Sequence, residues 1–160
     1  VGAATETEMK DKKLRLEDAI NATSAAVAEG VVPGGGIALF NVYKTLKKTL
    51  KSDNTDIQAG ISVVLNSLTA PLYQMSVNAG FDGDEVIDNS KNRTDGLGFD
   101  AKTGAWVDMM EKGIIDPTKV TRSAVINAAS IAGQFITTEA IVTEIPKPIA
   151  PAPVSPDMDY

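Results

Sequence analysis

A run of three glycines, Gly34–Gly36, lies between two segments of helical pattern and directly follows Pro33. Glycine has no Cβ atom, so a ligand can touch the main chain directly at such a point. The first N–H groups of a helix are unpaired and carry positive partial charge, which favours an anion such as phosphate. The junction therefore fits a nucleotide site, and it fits equally a tight packing turn between two helices.

Two carboxylates have positions from which they could bind a nucleotide or take part in its hydrolysis. Asp18 neighbours the apolar stripe of a long predicted helix, where it could turn toward a ligand and orient water for attack on phosphorus. Its plainer interpretation is an i,i+4 contact with a polar neighbour. Asp116 precedes Pro117 at the start of the last predicted helix, so it could cap that helix. It could also accept hydrogen bonds from two ribose hydroxyls.

The composition limits the available chemistry. The chain has 160 residues, 43 % of them hydrophobic, with a net charge of −6 and neither cysteine nor histidine. A disulfide framework, thiol chemistry and histidine-based catalysis are therefore excluded. The acidic balance argues against nucleic-acid binding over the whole surface. The chain begins at Val1, and its opening residues resemble the middle of a protein, so we expect a fragment or a processed chain.

Helical periodicity predicts a mainly α-helical fold in which these residues are positioned. The predicted helices are Thr5–Glu29, Pro33–Lys51, a third segment that Pro71 kinks or splits, Glu85–Ser90, and a last long helix beginning at Asp116 and Pro117. We also predict short strands at Leu97–Phe99 and Ile141–Ile145. Residues 95–101 could form a simple hairpin, or they could present backbone groups and Asp100 to the edge of a base. The Pro-rich residues 146–160 are expected to be disordered.

Several stretches, taken together, resemble the group I (GroEL-type) chaperonins. They are Val1–Lys10, Glu17–Ala19, Glu29–Gly36, Gly113–Arg122 and Thr137–Ala140. The resemblance covers nearly the whole chain in order, and it matches only the last third of such a protein. It implies a helical bundle of the chaperonin equatorial-domain type with a small β element.

The resemblance also implies a domain organisation. Residues 1–29 match the C-terminal segment of the intermediate domain, residues 30–145 the second half of the equatorial, ATP-binding domain, and residues 146–160 a Pro-rich tail. The apical domain and the first half of the equatorial domain, which carries the phosphate loop and the metal-holding aspartate, are not matched. The cofactors implied are ATP or ADP and Mg²⁺, with the metal ligands expected mainly in the unmatched part.

Roles for individual residues follow from the same resemblance. The implied roles are catalysis for Asp18, contact with the nucleotide for Gly34 and Gly35, contact with base and sugar for Asp100, Ala101 and Lys102, ribose binding for Asp116, and a hinge contact with a neighbouring subunit for Glu6. Asp100 stands where some members have Asn, and an ionised Asp cannot donate a hydrogen bond to a base.

The resemblance implies an ATPase that encloses non-native proteins and assists their folding. Its partners would be identical subunits in stacked rings, a co-chaperonin lid and unfolded polypeptides, with neither nucleic acid nor membrane. The expected location is the bacterial cytoplasm, with the mitochondrial matrix as the alternative. By itself, the chain is expected to turn over ATP poorly and to self-associate through uncovered apolar helix faces. The alternative is a non-enzymatic helical assembly module, which leaves the combination of Asp18, the glycine run and Asp116 unexplained.

Overall fold

The structure, a computed structural model, describes residues 1–145. Those residues form six helices and four short strands, so the mainly α-helical fold is confirmed. The elements are α1 (Glu6–Glu29), β1 (Val31–Pro33), α2 (Ile37–Thr49), α3 (Thr55–Ser67), α4 (Ala70–Asn78), α5 (Gly83–Lys91), β2 (Leu97–Asp100), β3 (Ala105–Asp108), β4 (Ile115–Pro117) and α6 (Thr118–Ile136).

The first helix begins and ends as the sequence predicts. The hydroxyl of Thr5 accepts a hydrogen bond from the N–H of Glu8 at 3.2 Å, which satisfies one of the free donors at the helix start. Gly30 ends the helix with φ of 79°, a left-handed value that favours glycine. Although α1 has 24 residues, none of them is buried among the described residues.

The start of the second helix differs from the prediction. Pro33 lies in β1, opposite Ile115 of β4, so the helix does not begin there. The antiparallel pairing keeps residues 31–33 extended, and the chain then turns through the glycines before α2 starts at Ile37. Leu50 lies beyond the end of α2 and is exposed, whereas Tyr43 within the helix is buried.

Asp116 does not cap the last helix, so that interpretation is wrong. It lies within β4, where it is paired with Val32. Pro117 precedes the first helical residue with φ of −65° and ψ of 127°, which is an extended conformation, and α6 has no side-chain cap. Because of the strand pairing, Asp116 lies one residue before the N-cap position, which is occupied by Pro117. Its side chain therefore does not bond to the first N–H groups of the helix.

The middle of the chain follows the prediction closely. The side chain of Asn54 accepts hydrogen bonds that cap α3. Pro71 lies in the first turn of α4, and the predicted long segment is indeed split into α3 and α4. Strands β2 and β3 form an antiparallel hairpin that contains the predicted strand at Leu97–Phe99.

The core lies between α2, the α3–α4 segment, α5 and the β2–β3 hairpin. Its apolar members are Ile37, Phe40, Tyr43, Leu65, Leu68, Leu72, Val86, Phe99 and Met109. These residues come from six parts of the sequence, so this half of the molecule is held by long-range contacts. It is the part of the fold that positions the glycine corner.

Helices α1 and α6 contact each other and β4. Val125 of α6, which is partly buried, also packs against the core. The guanidinium of Arg122 donates two hydrogen bonds to the carboxylate of Glu29, at 2.7 and 3.0 Å, and so links the end of α1 to the start of α6. The predicted strand at Ile141–Ile145 is wrong: these residues pair with no other segment among residues 1–145 and are exposed. The predicted disorder of residues 146–160 lies outside the described residues.

Candidate functional site

The triple-glycine corner joins β1 to α2 through a close backbone approach. The N–H of Gly34 donates to the carbonyl oxygen of Ile114 at 2.9 Å. A Cβ atom on Gly34 would lie 3.0 Å from that same oxygen. Gly35 and Gly36 have φ of 64° and 76°, the left-handed region that residues with side chains rarely adopt. All three positions therefore require glycine.

The corner also packs tightly against two other elements. A Cβ atom on Gly36 would lie 2.7 Å from the backbone nitrogen of Leu72 in α4. A Cβ atom on Gly35 would lie 2.8 Å from Cε of Met109, which follows the hairpin. The interpretation of the glycine run as a tight packing turn is therefore confirmed.

Gly35 additionally borders an open cleft of about 520 Å³, within the range of small-molecule sites. The cleft is lined by Gly35, Leu72, Met75, Ser76, Phe99, Asp100, Ala101, Lys102, Met109, Lys112 and Ile114. Most of this lining is apolar, which suits a flat ring. Lys102 and Lys112 also line the cleft, and their positive charge suits an anion.

Three of the predicted site residues form the turn between β2 and β3. The carboxylate of Asp100 accepts hydrogen bonds from the N–H of Lys102 at 2.9 Å and from the hydroxyl of Thr103 at 2.8 Å. The bond from Thr103, followed by that from Lys102, lowers the pKa of Asp100. Asp100 is therefore ionised at neutral pH, and both Asp100 and Ala101 line the cleft.

Asp116 lies beside the cleft rather than on its lining. Its strand partner Val32 is two residues before Gly34, and Ile114, which does line the cleft, is two residues before Asp116. Partial burial raises the pKa of the Asp116 carboxyl. No side-chain hydrogen bond to Asp116 occurs within residues 1–145, so the burial of this carboxyl is not compensated there.

The structure does not bring Asp18 to the cleft. Asp18 is exposed in the middle of α1, about 18 Å along the helix axis from Gly30 at a rise of about 1.5 Å per residue. Glu6 is exposed in the first turn of the same helix, with its carboxylate 2.8 Å from the ammonium of Lys10.

One wall of the cleft is not predicted from the sequence; it is formed by Leu72, Met75 and Ser76 of α4 together with Met109 and Lys112. Packing of Met109 against Gly98, where a Cβ atom would lie 2.5 Å from its Cγ, explains why the hairpin contains that glycine. The glycine itself was visible in the sequence. Its partner was not, because no local pattern joins these positions.

The described residues do not supply a metal site of their own. Within residues 1–145, no three acidic or other ligating side chains lie close enough together to hold a metal ion. In the same part of the chain, no helix is both long enough and apolar enough to cross a membrane.

A helical fold of the chaperonin equatorial-domain type, with a glycine-bordered cleft, is the class that these observations define. The sequence matches the TCP-1/cpn60 chaperonin family over residues 1–146. The chain therefore belongs to the TCP-1/cpn60 chaperonin family.

Individual relatives agree with this assignment. Chaperonin GroEL of Acholeplasma laidlawii (strain PG-8A) is 56 % identical over 145 residues, covering 91 % of this chain and 27 % of that protein. Chaperonin GroEL of Aster yellows witches'-broom phytoplasma (strain AYWB) is 58 % identical over 142 residues, covering 89 % and 26 %. A crystal structure of a group III chaperonin in the open state matches with a TM-score of 0.76 and 29 % identity, over 89 % of this chain and 30 % of that one. The chain spans about a quarter of the length of the curated relatives it matches.

Proposed function

We propose that this chain is the C-terminal part of an ATP-dependent chaperonin that encloses non-native polypeptides and assists their folding. In this proposal residues 1–29 belong to the intermediate domain, residues 30–145 form the second half of the equatorial domain, and residues 146–160 are a tail. The observation that carries the proposal is the pairing of β1 with β4. It brings the glycine corner and Asp116 to the same edge of a cleft whose other wall is the β2–β3 hairpin.

ATP fits the residues present in several respects. Gly35 lines the cleft, and a flat base suits the apolar lining. In the proposal Gly34 and Gly35 contact the nucleotide, while Asp100, Ala101 and Lys102 lie near base and sugar. Asp116 accepts hydrogen bonds from the ribose, which would compensate a carboxyl whose burial is otherwise uncompensated.

Asp18 has a role in this scheme only if α1 moves toward the cleft. Its exposure and its position in the middle of the helix support a catalytic carboxylate that orients water after such a movement. Glu6, on the same helix, would contact a neighbouring subunit at the hinge.

Mg²⁺ does not fit the described residues alone, because they contain no cluster of three ligands. Magnesium coordination in phosphoryl transfer relies on carboxylate and phosphate oxygens. We therefore assign its protein ligands mainly to sequence outside this chain, and we expect the isolated chain to turn over ATP poorly.

The remaining parts of the proposal follow from the relatives. The intact protein would form stacked rings of identical subunits, with a co-chaperonin lid and unfolded polypeptides as partners and with neither nucleic acid nor membrane. Relatives from Acholeplasma and phytoplasma support a bacterial cytoplasm rather than a mitochondrial matrix.

Nucleotide binding by the chain itself tests the site. ADP is added to the isotope-labelled 160-residue chain while backbone amide signals are followed by NMR. We expect shifts at Gly35, Ala101 and Ile114, which border the cleft. The variant Gly35→Ala should weaken binding by about tenfold, because its methyl group would enter the contact surface.

The matched control is Gly80→Ala. Gly80 also has a left-handed φ, 87°, but a Cβ atom there meets nothing within 4 Å, and Gly80 does not border the cleft. Equal loss of affinity in both variants would assign the effect to backbone strain. Shifts confined to other surfaces, or no shifts at millimolar ADP, would contradict the nucleotide site and favour the assembly-module alternative.

A further inference from the structure

A second open groove lies between the C-terminal half of α2 and the segment that joins α5 to β2. It has a volume of about 580 Å³, and we call it the basic groove. Its lining residues are Lys44, Thr45, Lys48, Thr49, Lys91, Asn92, Arg93, Thr94 and Asp95. None of these residues lines the nucleotide cleft. The basic groove is therefore a separate feature of the fold.

Positive charge dominates this groove although the whole chain is acidic. Its lining holds three lysines, one arginine and a single carboxylate, in a chain with a net charge of −6. Lys44 and Lys48 lie one turn apart on α2, and Lys48 is exposed with no carboxylate within 4.0 Å among residues 1–145. Such a local concentration of cations attracts an anionic partner.

Lys44 shapes the groove rather than binding within it. Its side chain is only 19 % exposed. Its ammonium donates to the carbonyl oxygen of Arg93 at 2.8 Å and to the carboxylate of Asp95 at 2.9 Å. These bonds hold the segment after α5 against α2. Arg93 is thereby fixed at the groove wall, and the single acidic side chain of the lining is already paired.

Arg93 is the strongest individual sign of a binding site. Its guanidinium lies over the ring of Trp106, 4.0 Å from the ring centroid. Its Nε is buried without a hydrogen-bond partner among residues 1–145, an uncommon state for a buried polar atom. No carboxylate of those residues forms an ion pair with it. A guanidinium without an ion-pair partner can bind a carboxylate through charge-assisted hydrogen bonds from its remaining N–H groups.

The hydroxyl groups favour a peptide over a nucleic acid. Thr45 and Thr49 donate their hydroxyl protons to helix carbonyl oxygens, at 3.0 and 3.2 Å. Each hydroxyl therefore has only acceptor capacity left for a ligand. A peptide backbone offers N–H donors for these oxygens, whereas a phosphodiester backbone offers none. A long polyanion would also extend from the groove over an acidic surface, which would repel it.

We propose that the basic groove binds a short acidic segment of a partner polypeptide. One carboxylate of that segment binds Arg93, and a further carboxylate lies against Lys48, since Lys91 is already paired with Asp88. The peptide N–H groups donate to Thr45 and Thr49. This inference does not depend on nucleotide binding, since the two sites share no lining residue.

The test uses the whole chain and a short poly-glutamate peptide as the probe. Trp106 is the only tryptophan in the sequence and is in contact with Arg93, so its fluorescence reports on the groove. We expect saturable binding at low salt, accompanied by a change in this fluorescence and weakened by added salt. The double variant Arg93→Gln with Lys48→Ala should bind about tenfold more weakly, because it removes two charge-assisted contacts.

The matched control is Arg15→Gln with Lys12→Ala, which makes the same change in charge on the exposed face of α1. Lys48→Glu alone is a second groove variant, chosen because Lys48 is exposed and its replacement leaves the packing of Trp106 intact. If the control weakened peptide binding equally, the effect would come from net charge alone, and the proposal would be overturned. Absence of peptide binding, unchanged affinity in Lys48→Glu, or tighter binding of a single-stranded oligonucleotide of equal charge would overturn it as well.

Discussion

The half of the molecule around the cleft and the pair of long helices, α1 and α6, both carry large apolar side chains but differ in how deeply they bury them. Around the cleft, Phe40, Ile37 and Met109 are almost completely enclosed. No residue of α1 or α6 is buried, although both helices carry large apolar side chains. On α1 these include Leu16 and Val27, and on α6 they include Ile131 and Phe135.

Residues 1–145 thus contain one enclosed core, and we interpret the uncovered faces of α1 and α6 as an incomplete interface. Apolar helix faces of this extent usually lie against another protein surface. The matched relatives extend over about four times the length of this chain. The cleft is therefore the region whose geometry depends on contacts within the chain. We expect the exposed apolar faces of α1 and α6 to lie against another protein surface.

Truncating one phenylalanine in each region gives the strongest test of this difference in burial. Phe40 is 0 % exposed and Phe135 is 61 % exposed. Phe40→Ala should lower the free energy of unfolding by about 3 to 5 kcal/mol, because it leaves a cavity in the core. Phe135→Ala should change it by less than about 0.5 kcal/mol. Urea unfolding of both variants measures the difference, and equal losses would show that α6 is packed in solution.

Alanine substitutions at Gly36 and Gly80 test how closely α2 and α4 approach at the glycine corner. Gly36→Ala and Gly80→Ala both place a side chain at left-handed φ, 76° and 87°, which costs about 1 to 2 kcal/mol. At Gly36 the new methyl group would also lie 2.7 Å from the backbone of Leu72, which cannot move aside as a flexible side chain can. We expect Gly36→Ala to lose a further 1 to 3 kcal/mol or so. Thermal unfolding that gives equal losses would contradict the close contact between α2 and α4.

The sequence sufficed for elements whose signals are local. The break at Pro71 and the end of α1 at Gly30 depend on neighbouring residues, and both were predicted. The pairing of β1 with β4 joins residues more than eighty positions apart. No local pattern could reveal that pairing, so Pro33 and Asp116 were assigned to helix starts.

In the candidate site, too, the features with a local sequence signal were predicted and those that depend on long-range contacts were not. The glycines and the hairpin at Asp100 were recognisable from their residue types, whereas the wall formed by α4 was not. Leu72 and Met75 look like ordinary core positions of an amphipathic helix. Only the contact between Gly36 and Leu72 shows that this helix borders the cleft.

The uncovered faces of α1 and α6 lead to a prediction about association. We expect the chain to self-associate in light scattering and to bind an apolar dye. The double change Ile131→Ser with Phe135→Ser on α6 should lower dye binding by about half, since it removes two exposed apolar side chains. Ile57→Ser with Val63→Ser on exposed positions of α3 is the control for a general loss of apolar surface. A clean monomer without dye binding would contradict the incomplete interface.

The smallest expected effect on stability concerns Asp116, which lies beside the cleft and has a partly buried carboxyl. Burial raises its pKa in the folded state above the ordinary value of about 3.9. The neutral form therefore stabilises the fold below that ordinary value, and this contribution is lost as the pH rises through the folded pKa. Asp116→Asn keeps the side chain neutral, so it should stabilise the chain at pH 7 by less than about 1 kcal/mol after solvent screening.

The stabilisation by Asp116→Asn should disappear when urea unfolding is repeated below about pH 4, where the native carboxyl is itself neutral. Asp11→Asn, on the exposed surface of α1, is the control for a general change in net charge. The same Asp116 variant should bind ADP more weakly, because an amide offers one acceptor oxygen where the carboxylate offers two. Greater stability combined with weaker binding is typical of a residue kept for function. If Asp116→Asn instead lost stability at pH 7, the carboxylate would have a stabilising partner in the folded chain, and its proposed pairing with a ribose would lose its physical basis.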